Sequence, residues 1–429
     1  MLPTIQHDEY LYPVPKFDLS RKDVKNFMTQ LTCFHEQFAD CFPRSESRDH
    51  FFKYMAVQFS PLERKSIEPI ALAIKDGNVR AMQRFVSDSC WNEEKMITKY
   101  RSLVNDDLGH PDGALIFDES GFIKKGDDSI GVARQYSGAA GKVDNCQIGV
   151  FAAYVSDQGY ALVDKRLYLP EKWFTADYAE RCNKCLLPAE TVFSTKPQLA
   201  VDMLNAVAHE DILPFKYVLA DSVYGVSPDF INAIEALQGK TYLVSVPKTT
   251  LCWLKSPMTI TKHYQRSGKT RTKSILVDPD SKPITIDKIA NNINDYFWYR
   301  RTVSEGSNGP IVYEFTRRQV TLAEAGLPKK TVWLFIRRTL EEKPEYSFFI
   351  SNALANIRLK TFVWLSGLRW AIEQCFEETK SDLGMDHYEV RKFTGWHHHI
   401  LTIMLAHFFL WHLKIRLGKK STVYYDIAA

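Results

Sequence analysis

The segment FKYVLADSVYG, residues 215–225, decides the fold. Tyr217, Val218, Leu219 and Ala220 run straight into Asp221, and Ser222–Gly225 then turn the chain. A short apolar run that stops at an acid reads as a buried strand with a carboxylate at its C-terminal end, and the glycine permits a tight bend after it. GALIFDES, residues 113–120, repeats the pattern, with Leu115, Ile116 and Phe117 leading into Asp118. Glu119 is adjacent but faces the opposite way on a strand, which makes Asp118 the better ligand. Strand ends are where α/β proteins place chemistry. An acidic turn cap is the alternative reading of either segment alone.

A third acid, Glu373, lies within RWAIEQCFEETKSDLG, residues 369–384, a stretch with helical spacing. Arg369, Glu373 and Glu377 follow at four-residue intervals and share one face, while Trp370, Ile372 and Phe376 face a core. Ordinary salt-bridging along the helix is the alternative. Two strand-end aspartates and a helix-borne glutamate form a hard, all-oxygen donor set that suits Mg²⁺ over a phosphodiester. Arg369 and Lys380 stand ready to neutralise and position a phosphate.

Outward from these acids, the texture changes along the chain. Residues 1–105 show helical spacing, in VKNFMTQLTCFHEQFADCF, HFFKYMAVQFS, SPLERKSIEPIALAI and NVRAMQRFVSDSCW, and are expected to form a helical DNA-binding domain. Residues 106–248 read as strand, hairpin, helix, strand, helix, strand, the first part of a mixed sheet with helices on its faces. Residues 249–345 are β-rich, with IVYEFTRR and TVWLFIRRTL as strands and KHYQRSGKTRTK as a basic turn, and are expected to project as an insertion subdomain. Residues 346–429 return to the core and bring the helix carrying Glu373. Basic residues of the insertion, among them Arg266, Lys269, Arg271, Lys273, Arg317 and Arg338, are numerous enough to cover a DNA backbone.

Bulk properties fit this reading without forcing it. The 429 residues are 45% hydrophobic and 25% charged, with a formal net charge of +4, so nucleic-acid binding needs local basic patches. MLPTIQHDEYLYP carries acids and prolines where a secretory signal has its apolar core, and the apolar run 400–411 falls short of the roughly twenty residues a bilayer needs. A cytoplasmic protein with no membrane segment is expected, with its eight cysteines as free thiols. GDDSIGVARQYSGAAGK, residues 126–142, lacks the strand–GxxxxGK[ST]–helix layout, so no nucleotide cofactor is expected. Lys124, Lys125, Arg134 and Lys142 around it read as a basic loop close to DNA. The run His397–His399 reads as capping or buried histidines.

The chain resembles insertion-sequence transposases of the IS701-like family, related to the IS4-like group with an acidic triad. ERKSIEPIA (63–71), MQRFVSDSCW (82–91), IFDESGFIKKG (116–126), GVARQYSGAAGKVDNCQIGV (131–150), LPFKYVLADSVYG (213–225), TYLVSVP (241–247) and RWAIEQCFEETKSDLGMDHYEVRKFTGWHHHI (369–400) carry the likeness. It implies a ribonuclease-H-like α/β core that cuts and joins double-stranded DNA at terminal inverted repeats and target sites. Asp118, Asp221 and Glu373 would hold two Mg²⁺ ions, with Mn²⁺ able to substitute. The group's tyrosine–arginine–glutamate–lysine signature is met by Arg369, Glu373 and Lys380, with Ser366 at the tyrosine position. The resemblance also implies a homodimer in a synaptic complex, and an insertion tryptophan that stacks on a flipped base, for which Trp253, Trp298 and Trp333 are candidates; packing in the core is the favoured reading of each, because tryptophan in a β pattern usually packs. A DNA-binding repressor without catalysis and a stand-alone metal-dependent nuclease are the alternative functions.

Overall fold

A computed structural model describes residues 21–138, 141–266, 269–306 and 309–418, with side chains described outside 21–25, 265–271, 304–308 and 417–418. In chain order the helices α1 (Arg21–Glu36), α2 (Ser45–Gln58), α3 (Ile67–Ala73), α4 (Val79–Asp88) and α5 (Glu93–Leu108) precede strands β1 (Ala114–Ile123), β2 (Ala133–Ser137), β3 (Lys142–Ser156) and β4 (Gly159–Tyr168). Then come α6 (Ala179–Lys184), α7 (Lys196–Glu210), β5 (Tyr217–Ala220), α8 (Ser222–Gly225), α9 (Pro228–Ala236) and β6 (Thr241–Ser245). The β-rich stretch holds β7 (Leu251–Trp253), β8 (Thr259–Arg266), β9 (Lys269–Leu276), β10 (Ile284–Thr285), α10 (Ile286–Asn291), β11 (Tyr299–Gly306), β12 (Gly309–Glu324), β13 (Leu327–Arg338) and β14 (Tyr346–Ser351). The chain closes with α11 (Leu359–Leu368), α12 (Trp370–Ser381) and α13 (Phe393–Gly418).

These elements divide into two compact units, which differ from the four segments expected. The larger holds the described residues up to 216 together with 370–418; the smaller holds 217–369. In the larger unit β3 pairs antiparallel with β1, β2 and β4. Residues 146–156 of β3 are buried without a break, which means both faces of this sheet are covered. Helix starts are written locally. Asn78 and Asn92 each accept a backbone N–H from the first turn of α4 and α5, and Thr195 with Gln198 forms a capping box on α7. The sequence reading had passed over α5, although Met96, Tyr100, Val104 and Leu108 recur every fourth residue and are all buried. An aromatic core of Phe34, Phe38, Phe51 and Phe85 fills the helical region, each ring contributing roughly 1.5–3 kcal/mol by leaving water. Trp91 beside it lies flat on His398 of α13, 3.8 Å between ring centres.

In the smaller unit β5 and β6 are parallel and joined by α8 and α9. β14 then pairs antiparallel with both β6 and β13, and β12 with β13, β11 and β7. The β-rich residues 249–345 therefore extend the sheet that begins at β5, because β14 supplies hydrogen bonds on both of its edges. KHYQRSGKTRTK is not a turn but most of the hairpin β8–β9, a two-stranded sheet of its own. Three antiparallel strands, a helix, a strand, a helix and a strand parallel to the last form the ribonuclease-H order of elements. The fold is thus a helical N-terminal region with a mixed β-sheet flanked by helices. No helix among the described residues is long and apolar enough to cross a membrane.

Candidate active site

Asp118 lies in mid-strand rather than at a strand end. β1 continues through Ser120 and Gly121 to Ile123 because the long β3 keeps pairing with it, from Ala114 opposite Val155 to Ile123 opposite Cys146. Gly121 leaves room there: a Cβ would stand 2.4 Å from the Ser137 hydroxyl, which would have to turn away. Asp118 sits directly opposite Phe151, and opposed residues share a face of the sheet. The Phe151 ring meets Phe376 of α12 with 5.2 Å between centres. Glu373 precedes Phe376 by three residues, the spacing that puts side chains on the same side of a helix. β1 thus presents Asp118 on the face that the helix of Glu373 covers. Glu119 points to the other face, where its carboxylate pairs with Lys196 of α7 at 2.7 Å.

Lys380 fastens that helix to the strand. Its ammonium donates to the carbonyl of Gly121 at 3.1 Å and lies 5.4 Å from the centre of the Phe122 ring. Lys124 does the same further along, donating to the carbonyl of Tyr388 at 2.8 Å with the Tyr388 ring 3.3 Å beneath it. Burial pushes both amines below the usual lysine range, Lys124 to about 7. Lys125, Arg134 and Lys142 are exposed, and Lys142 pairs with Asp144 at 3.1 Å.

In the smaller unit Asp221 does follow the last residue of β5. It also caps α8: its carboxylate accepts the N–H of Val223 at 2.9 Å and its carbonyl that of Gly225 at 2.9 Å. Gly225 is obligatory, since a Cβ would sit 2.0 Å from the carbonyl oxygen of Ser245 on β6. Arg369 closes α11 as its C-cap. Ser366, at the signature's tyrosine position, is buried and donates to the carbonyl of Val363 at 2.7 Å.

The profile of the family described as DDE superfamily endonuclease matches residues 37–310, well over half of the chain. This chain belongs to the DDE superfamily of endonucleases. The match includes Asp118 and Asp221, while Glu373 lies beyond it. The chain is also 25% identical over 349 residues to the probable transposase for insertion sequence element IS701 of Microchaete diplosiphon, covering 79% of this chain and 76% of that one. A piggyBac transposase in a synaptic complex with hairpin DNA overlays 92% of this chain and 76% of its own at a TM-score of 0.40 and 8% identity.

Membership of this DDE family implies transposase or endonuclease activity and use of a divalent metal. Among the described residues no three His, Cys, Asp or Glu side chains gather closely enough to hold an ion. The donor chemistry of the acids still fits Mg²⁺, whose preferred ligands are carboxylate oxygens. The candidate tryptophans of this DDE endonuclease are already packed. Trp253 is 6% exposed and donates to the carbonyl of Ser281, and Trp298 is 8% exposed under the Arg338 guanidinium. Trp333 donates to the carbonyl of Leu354 and carries Arg317 4.7 Å from its ring. Sequence reasoning passed over Tyr296, which is 82% exposed in the same stretch. Its signal was the polar run NNINDY, which a buried aromatic seldom ends.

Proposed function

We propose that this protein is a transposase that binds the terminal inverted repeats of its element, cleaves at the ends and joins 3′-hydroxyls to target DNA. The observation that carries the reading is Asp118 on the sheet face covered by the helix of Glu373, within a DDE family chain. Asp118, Asp221 and Glu373 would hold two Mg²⁺ ions, with Mn²⁺ able to replace them. When bound, such ions lower the pKa of an attacking water or 3′-hydroxyl and stabilise the departing oxyanion. The protein's own side chains do the positioning. Arg369 neutralises and orients the phosphate. Lys380 and Lys124, tied to backbone carbonyls, act as positioning residues that hold α12 and the segment after it against β1. Lys125, Arg134 and Lys142 approach the DNA backbone. If an aromatic ring of residues 249–345 stacks on a base, Tyr296 is better placed than Trp253, Trp298 or Trp333. Residues 1–105 supply end binding, and two protomers pair two ends.

The test is a duplex carrying the element's terminal repeat. Asp118→Ala, Asp221→Ala and Glu373→Ala should each abolish Mg²⁺-dependent strand cleavage while end binding persists. Cleavage retained in all three variants rejects the triad. An active wild type that nicks but never yields joined products is a nuclease, and one that binds without nicking is a repressor.

A further inference from the structure

The helix that carries Glu373 is also held from behind. Five residues further along α12, the half-buried Glu378 accepts a hydrogen bond on each carboxylate oxygen. One comes from the Tyr160 hydroxyl of β4 and the other from the Nε2–H of His407 in α13, both at 2.7 Å. Burial works against its ionised form, yet these two bonds hold the carboxyl below the usual range, so it acts as an acceptor only. His407 is 2% exposed, and its other ring nitrogen, Nδ1, is buried with no hydrogen-bond partner among the described residues. Glu378 therefore orients the imidazole as well as the hydroxyl, and the two rings stack with 6.2 Å between centres.

No step of the proposed chemistry uses this cluster. A carboxylate taken out of water is a weak source of stability, because an apolar set of similar volume often does as well. What the cluster supplies is geometry. At 3.6 residues per turn, Glu378 stands about 140° around α12 from Glu373. Lys380, which donates to the carbonyl of Gly121, stands within about 20° of Glu373. Anchors on two sides of a helix set its rotation about its own axis. A side-chain tip lies about 5–6 Å from that axis, so a turn of roughly 10° displaces it by about 1 Å. Glu373 is exposed, so the placement of its carboxylate follows the rotation of the helix. Mg²⁺ tolerates little departure from octahedral geometry.

We propose that Glu378, held by Tyr160 and His407, is a positioning residue that sets the rotation of α12 and with it the metal affinity of Glu373. This role rests on the metal-binding function proposed for Glu373 above.

The experiment uses the full chain and the end duplex, and reads the Mg²⁺ concentration for half-maximal cleavage separately from the rate at saturating Mg²⁺. Glu378→Asp draws the carboxylate back by one methylene, so both hydrogen bonds persist only if the helix turns. Half-maximal Mg²⁺ should rise about tenfold, the lower end of what loss of a ligand-orienting residue costs, with the saturated rate little changed. Tyr160→Phe, which removes a single hydroxyl, should move it the same way. Glu378→Gln keeps the reach, accepting from His407 and donating to the Tyr160 oxygen, and should stay near wild type. In metal-free protein, amide hydrogen exchange over residues 370–376 should be faster in the aspartate variant and unchanged over α7. Val207→Ala, which opens a cavity under α7 across the sheet, should lower thermal stability without moving the Mg²⁺ dependence. Unchanged Mg²⁺ dependence in the aspartate or phenylalanine variant, or unchanged exchange in the aspartate variant, overturns the positioning role. So does a glutamine variant as impaired as aspartate, since charge and not reach would then matter. An equal shift in Val207→Ala overturns it as well, because general loosening is then the cause. Wild-type protein without Mg²⁺-dependent cleavage sinks the metal role of Glu373 itself, whereas wild-type cleavage with an unmoved aspartate variant sinks only the role of Glu378.

Discussion

Ser366 shows how a single side chain redirects a family motif. The related group places a tyrosine there, whereas the serine hydroxyl is buried and turned back onto the carbonyl of Val363 within α11. Phe362, Leu365 and Leu368 around it are buried as well, so the position belongs to the core. Ser366→Tyr is expected to cost about 1–3 kcal/mol through overpacking, with no gain in DNA affinity. Chemical unfolding alongside end-duplex titration checks this. A variant of undiminished stability that binds DNA more tightly would mean that the position opens toward phosphate. The sequence revealed the departure from the signature, and only packing revealed where the hydroxyl goes.

At the scale of elements, α13 carries the sharpest pH dependence. His397, His398 and His399 begin its buried stretch, and burial holds them well below the usual histidine range, at about 4, 4 and 3. Each has a distinct partner. His397 meets Lys165 and Glu93, His398 donates its Nδ1–H to the carbonyl of Val86 while stacked on Trp91, and His399 bridges Tyr54 and the carbonyl of Met385. Their folded pKa values lie below the unfolded value of about 6.5, so the unfolded chain takes up protons first as pH falls. Stability is therefore full above pH 6.5 and declines as pH drops toward 4. At pH 5 the loss should reach a few kcal/mol, of order 1.4 kcal/mol per unit and per histidine. Urea unfolding at pH 7 and pH 5 measures it, and His398→Gln should flatten part of the difference. Equal stability at both pH values would mean that these rings are not held neutral.

For the whole molecule, the near balance of 55 basic and 51 acidic residues hides a strong local segregation, with the stretch from Glu235 to Asp278 free of acids. Interaction with DNA then depends on patches, and phosphate contacts make it salt-sensitive. Cyclic two-protomer assemblies are the commonest closed oligomers, and pairing two ends calls for two active sites. Light scattering should give the mass of one protomer for the free protein and of two protomers on end duplexes. A complex that stays at one protomer under cleaving conditions would rule out paired-end synapsis.

Local sequence determined the elements and their chemistry. Apolar runs fixed β1, β3, β5 and β6, helical spacing fixed α2, α4 and α9, and the three acids stood out by their neighbours, because periodicity and turn residues act over a few positions. Tertiary structure decided how far each element extends and what its residues face. Asp118 moved from strand end to mid-strand because β3, a partner distant in sequence, keeps pairing beyond Glu119. Residues 249–345 became an extension of the sheet because β14 offers both edges, and Trp253 and Trp298 became core because β12 and Arg338 cover them. Pairing between distant strands and the burial it produces depend on which segments meet, and no window of sequence contains that information.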